Sequence, residues 1–206
     1  MYSKRIKALA SEVSEKDTVL DVGCDHGYLS MYLKINNLCK KVYASDISKN
    51  ALSYAENNFQ KHNLDIETFV SDGFNDVPVE FDTAVIAGMG TNTILKILQS
   101  KKNPRKLVVG SNNEYFKLRK NLNKLGYKLV DELAVFENNH YYLIMLYIKA
   151  KQKLSRNELK FGISNNDEYY EYLRQKNLNI LKKVPLKKKI CIYYDNFILK
   201  RLIERK

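Results

Sequence analysis

Two periods of apolar spacing alternate along the first 150 residues. Residues Ser3–Val13 place Ile6, Leu9, Ala10 and Val13 on one face of a helix. TVLDVG (18–23) is a short β-branched run stopped by a glycine, which predicts a buried strand and a turn. DHGYLSMYLKINN (25–37) predicts the next helix, and KVYASD (41–46) a second strand ending in an acid. Ser48 then stands where an N-cap belongs, ahead of an amphipathic helix running to Asn63. IETFVSD (66–72), TAVIAGMG (83–90) and KLVVGSNN (106–113) predict three more strands, with a helix over 91–100 and another over 115–127, stopped by Gly126. KLVDELAVF and HYYLIMLYI flank Glu137–Asn139 as a hairpin. The predicted order is βαβαβαβαβαββ, an α/β class with a doubly wound, Rossmann-like sheet, helices on both faces and an antiparallel hairpin at its close.

After Ile148 the pattern changes. Residues 167–184 carry Tyr169, Leu173, Ile180 and Leu181 near helical spacing; Pro185 interrupts, and 186–205 carry Ile190, Tyr194, Phe197, Ile198 and Leu202 in register. This predicts a coiled-coil-like helical hairpin, with 154–164 as a plain connection. The expected division is therefore 1–150 and 151–206.

Charge sharpens that division. The chain of 206 residues carries a net charge of +12. Residues 151–206 hold 15 basic and 6 acidic side chains, so +9 of the excess lies there. Such asymmetry points to a polyanionic partner. The longest apolar run, Tyr141–Ile148, is far short of the ~20 residues of a membrane helix, and the first residues turn polar before a signal-peptide core could form. Cys24, Cys39 and Cys191 have no CxxC spacing, so no metal and no disulfide framework are expected, and a reducing cytoplasm fits.

In an open parallel sheet, ligands bind beyond the carboxyl ends of the strands. Here those ends read Asp21-Val-Gly23-Cys24-Asp25-His26-Gly27, Asp46, Asp72, Gly88-Met89-Gly90 and Gly110-Ser111-Asn112. The first loop lacks both GxxxxGK[ST] and the third glycine of GxGxxG. Asp21 and Asp25 would repel a pyrophosphate and attract a cation. A cofactor with a sulfonium centre and an amino-acid tail fits, whereas NAD does not. Asp46 is placed to accept from ribose hydroxyls, and Asp72 from an adenine amino group.

DVGCDHGYL resembles motif I of the Rossmann-like S-adenosylmethionine methyltransferases, DxGxGxG, with Asp25 in place of the middle glycine. SKRI, DVGCDHGYL, SDG, IAGMG, LRKNLNKLGYKLVDE and LKFG together resemble the TrmK family of bacterial tRNA (adenine(22)-N1)-methyltransferases over almost the whole chain. Thr91, Gly110-Ser111 and Leu143 depart from that family's pattern. The resemblance implies S-adenosylmethionine as cofactor, S-adenosylhomocysteine as product, and tRNA as partner of a cytoplasmic monomer. It implies cofactor binding by Asp21, Gly23, Cys24, Asp25, His26, Asp46, Ile47, Asp72, Gly73, Gly88 and Met89. Asp25 and Asn112 are the candidates for stabilising and positioning the reacting base. Arg5, Tyr28, Lys182, Lys183, Lys187, Lys188 and Lys189 are the candidate tRNA contacts. Competing readings are a methyltransferase of another RNA or of a protein, and a non-catalytic RNA-binding protein on the same fold.

Overall fold

The computed structural model describes residues 2–102 and 104–204. The chain forms two compact units, Met1–Lys153 and Leu154–Lys206. In the first, α1 (Lys4–Ser11) precedes β1 (Thr18–Val22), α2 (Tyr28–Ile35), β2 (Lys41–Asp46), α3 (Lys49–Lys61) and β3 (Thr68–Val70). Next come β4 (Thr83–Met89), α4 (Thr91–Ile97), β5 (Lys106–Ser111), α5 (Tyr115–Lys124), β6 (Tyr127–Glu137) and β7 (His140–Lys149). The sheet order is β3-β2-β1-β4-β5-β7-β6. The first five positions pair in parallel, and β7 runs antiparallel to both β5 and β6. It is the Rossmann-like arrangement expected from the alternation of strands and helices.

Strand alternation decides which face each residue serves. Val19, Val42, Val85 and Val108 join Leu9, Leu29, Leu33 and Phe59 in one core that lies under α1, α2 and α3. Their neighbours in sequence, Leu20, Ile86, Leu107 and Val109, are also fully buried. The central strands thus have no solvent face, which is why they read as unbroken apolar runs. Each such side chain contributes ~1.5–3 kcal/mol by leaving water. Where β1 and β4 lie side by side, their onward connections lead to opposite edges of the sheet, which leaves a crevice at their carboxyl ends.

Local signals place the ends of the elements. The Ser48 hydroxyl accepts from the Ala51 N–H, as an N-cap should. Asn138 and Asn139 form the two-residue turn of the closing hairpin, at φ 51° and 59°.

Two expectations are corrected. No helix lies between β3 and β4: the segment is a loop containing Gly73 and Pro78, with buried Phe74 and Val77 filling the place a helix would cover. The stretch 154–164 is more than a connection. It contains α6 (Arg156–Phe161), started by a capping box between Ser155 and Glu158. The second unit continues with α7 (Asp167–Leu181) and α8 (Leu186–Ile203), with Pro185 at the N-cap of α8. Asn177 of α7 hydrogen-bonds Asn196 of α8, and Lys160 of α6 pairs with Asp195 of α8 at 2.6 Å.

Arg119 of α5 and Glu132 of β6 form an ion pair at 2.5 Å, both side chains essentially without solvent contact. Removing one partner of such a pair leaves a buried charge. Arg119→Ala should therefore cost ~3–5 kcal/mol, read by urea denaturation, whereas replacing both residues by leucine or methionine should cost much less.

Candidate active site

The β1–α2 loop turns sharply because three residues adopt positive φ: Gly23 at 71°, Asp25 at 50° and Gly27 at 71°. At Gly27 only glycine fits, since a Cβ would come within 2.5 Å of the Phe59 ring. The loop is fastened to β2: the Ser45 carbonyl accepts from both Gly23 N–H and Cys24 N–H, at 2.8 and 3.0 Å. Asp46 holds it from the side, taking the Asp25 N–H on Oδ2 at 3.1 Å and the Ser48 N–H on Oδ1 at 2.9 Å. A carboxylate has about four lone-pair sites, so Asp46 keeps acceptor capacity.

Two cavities meet at this loop. The larger, about 920 Å³, is lined by Asp46, Ile47, Asp72, Gly73 and Met89 among others. The smaller, about 210 Å³, is lined by Arg5, Asp21, Cys24, His26, Tyr28 and Asn112 among others. Gly23, Asp25 and Gly88 line both. A Cβ built on Gly88 meets no atom within 4 Å, so the place where a side chain would stand is open. The eleven residues expected at the cofactor, together with Asn112, Arg5 and Tyr28, thus line one or both of two adjoining cavities. The five lysines lie in the second unit, after α7 and at the start of α8.

The electrostatics differ from tip to tip. Asp21 is buried and accepts from Ser30 Oγ at 2.7 Å. Burial raises its carboxyl to about 6, against the opposing pull of the Ser30 hydrogen bonds. Cys24 is pushed far above the usual thiol range, first by burial and then by Asp21 and Asp46, so it is an inert wall. Asp72 pairs with Lys96 at 2.8 Å, which leaves only part of its carboxylate for a ligand.

The tips of β4 and β5 are tied together. Thr91 Oγ1 donates to the Asn113 carbonyl at 2.7 Å, its N–H reaches Asn113 Oδ1 at 3.0 Å, and Ser111 Oγ lies 2.9 Å from Thr91 Oγ1. Both hydroxyl residues are buried. They are two of the positions at which the sequence departs from the pattern it resembles. The knot presents Asn112, whose Nδ2 donates to the Gly88 carbonyl at 2.9 Å, leaving Oδ1 free to accept.

Sequence reasoning singled out neither Glu137 nor Tyr142 as a site residue. Glu137 accepts the Lys4 N–H at 2.9 Å and Arg5 Nε at 2.7 Å, and the Arg5 guanidinium lies 4.3 Å from the Tyr142 ring centre. Desolvation, the largest single effect on the Glu137 carboxyl, raises it, but the hydrogen bonds and charge of Arg5 together with the Lys4 N–H outweigh it and hold the group below its usual range. Residues 132 apart in sequence give no local signal of such a contact. The only hint was the departure at Tyr142-Leu143.

An acid-tipped Rossmann-like sheet with a glycine-floored cleft and no phosphate loop defines the class, a methyltransferase that uses S-adenosylmethionine. The family described as methyltransferase domain matches residues 2–145. A Mycoplasma genitalium protein with a provisional tRNA methyltransferase assignment is 36% identical over 157 residues, which is 72% of this chain and 71% of that protein. The tRNA (adenine(22)-N(1))-methyltransferase of Bacillus subtilis is 28% identical over 70% of this chain and 63% of its own length. The solved structure of M. capricolum TrmK, in complex with S-adenosylhomocysteine, superposes with a TM-score of 0.84 at 28% identity, covering 99% of this chain and 98% of that one. The chain belongs to the TrmK family of tRNA methyltransferases. No helix among the described residues is long and apolar enough to cross a membrane.

The raised carboxyl of Asp21 sets a pH dependence. Below about 6 it takes up a proton and no longer attracts a cation, so affinity for S-adenosylmethionine should fall as pH drops from 7.5 to 5. Calorimetric titration should show this slope in the wild type and a flat profile in Asp21→Asn.

Proposed function

We propose that this enzyme methylates N1 of adenine 22 in tRNA, with the larger cavity taking the nucleoside part of S-adenosylmethionine and the smaller one taking the target base. The observation that carries this reading is the junction: Gly23, Asp25 and Gly88 border both cavities, so donor and acceptor groups can meet there. The residues fit the cofactor. Asp46 offers acceptors for ribose hydroxyls, Ile47 an apolar wall for the adenine, and Asp21 and Asp25 negative charge for the ammonium and sulfonium groups.

When bound, S-adenosylmethionine supplies a methyl group already activated by positive sulfur. Adenine N1 carries a lone pair and no proton, so this chain need not supply a strong base. Its contribution is alignment and charge. Asn112 Oδ1 accepts from the adenine N6 amino group and sets the ring's orientation. Asp25, exposed at the junction, stabilises the positive charge that methylation leaves on the ring. Arg5, fixed by Glu137 and Tyr142, contacts the tRNA beside the pocket.

N1 lies on the pairing edge, so the base must leave its stack at a cost of a few kcal/mol. Phosphate contacts elsewhere offset that cost and set the register. We assign them to the unit formed by Leu154–Lys206. Lys182, Lys183, Lys187 and Lys188 are exposed around Pro185, and no acid occupies the first turn of α8. Lysines at a helix N-terminus oppose the helix dipole, a local cost that a phosphate partner removes. A tRNA substrate places the reaction in the cytoplasm.

Labelled S-adenosylmethionine with unmodified tRNAs carrying adenine or guanine at position 22 tests the reading. Label should appear only in the adenine tRNA, as 1-methyladenosine; equal label in both would move the target elsewhere. Asp25→Ala should reduce kcat by ~10²-fold or more with little change in tRNA affinity. Changing Lys182, Lys183, Lys187 and Lys188 to glutamate should raise the KM for tRNA and flatten its salt dependence, while the Kd for S-adenosylmethionine stays put.

A further inference from the structure

Three aromatic rings form a row at the edge of the cleft, with His26 in the middle. His26, in the β1–α2 loop, stacks on Tyr28 of α2 with 5.7 Å between ring centres and 29° between planes. On its other side it meets Tyr54 of α3 at 5.4 Å and 41°. Tyr28 is 51% exposed and Tyr54 57%. The row is held in place from beneath, because Asn58 Nδ2 of α3 donates to the His26 carbonyl at 3.0 Å. Neither phenol hydroxyl bonds to another described residue. These are large rings kept in order yet left to solvent, on a surface continuous with the smaller cavity that His26 and Tyr28 line.

The charge around them says what can bind. Asp25 Oδ1 lies 3.9 Å from His26 Nε2, and Asp46 bonds the Asp25 N–H. This acid-rich edge repels phosphate, so attraction to RNA must come from something other than cations. A π surface binds any base face without needing charge. An RNA whose target base has been swung out also has neighbouring bases that have lost a stacking partner.

We propose that Tyr28, His26 and Tyr54 form a stacking platform for the unpaired nucleotide beside the target adenine, with Tyr54 as its outer ring. The inference rests on the tRNA reading above. It assigns to Tyr54 a role that no motif in the sequence suggests. The phosphates then run away from the acidic edge, toward Arg5.

Full-length Tyr54→Ala and Tyr54→Phe test it. Tyr54→Ala should raise the KM for tRNA about tenfold, with kcat and the Kd for S-adenosylmethionine unchanged. Tyr54→Phe keeps the ring and should match the wild type. A tRNA with 2-aminopurine next to position 22 should be quenched on the wild type and brighter on Tyr54→Ala. A KM for Tyr54→Ala within about twofold of the wild type would overturn the platform. So would an equal loss in Tyr54→Phe, or a parallel loss of cofactor affinity, which would mark Tyr54 as structural. If the wild type methylates no tRNA, the failure lies with the substrate reading; methylation of tRNA by a Tyr54→Ala variant indistinguishable from wild type sinks the platform alone.

Discussion

One carbonyl group anchors the active site. The Ser45 carbonyl, near the end of β2, accepts two successive N–H groups from the β1–α2 loop, and that loop then has to turn back over the end of its own strand. The turn requires positive φ at Gly23, Asp25 and Gly27 and lets the Phe59 ring pack where a Gly27 side chain would be. Asp46, the next residue of β2, braces the loop from the other side. The parallel pairing of β1 with β2 therefore does more than build a sheet. It places the Asp25 carboxylate at the junction of two cavities and opens a crevice beside β4.

A second constraint is electrostatic. The acids gather at the strand tips, where a sulfonium cofactor needs them, and most of the excess positive charge lies after residue 150. A polyanion cannot be gripped where the cofactor is held, because the same carboxylates that favour the donor repel phosphate. The proposed division of the two tasks between two units resolves that conflict, and the proposed stacking platform gives aromatic rings the edge where they adjoin the acids. Arg5 is the exception. It brings a cation to the mouth of the smaller cavity, and Glu137 with Tyr142 sets its position.

Tertiary context also explains two of the residues at which the chain departs from its family's pattern. Thr91 and Ser111 are buried and share one hydrogen-bond knot with Asn113. A pair of hydroxyls thereby ties the tip of β4 to that of β5 and presents Asn112. Seen singly in sequence each looks like a loss; seen together they support the same asparagine.

The strands, the order of the helices and the strand-tip series were legible in the sequence, because periodicity and turn residues act over a few positions. Ser48 as a cap, Pro185 as a break and the hairpin turn at Asn138–Asn139 are of that kind. The missing helix between β3 and β4 was not legible, since Phe74 and Val77 fill their space as loop residues. Nor was α6, too short for its apolar spacing to declare itself. The sequence by itself determined the architecture and which carboxylates stand at the sheet's edge, both products of local propensity and burial pattern. Only the tertiary structure decided that Glu137 meets Arg5, that Thr91 meets Ser111 and that Tyr54 meets His26. Those contacts join residues far apart in the chain, and no local rule selects one distant partner over another.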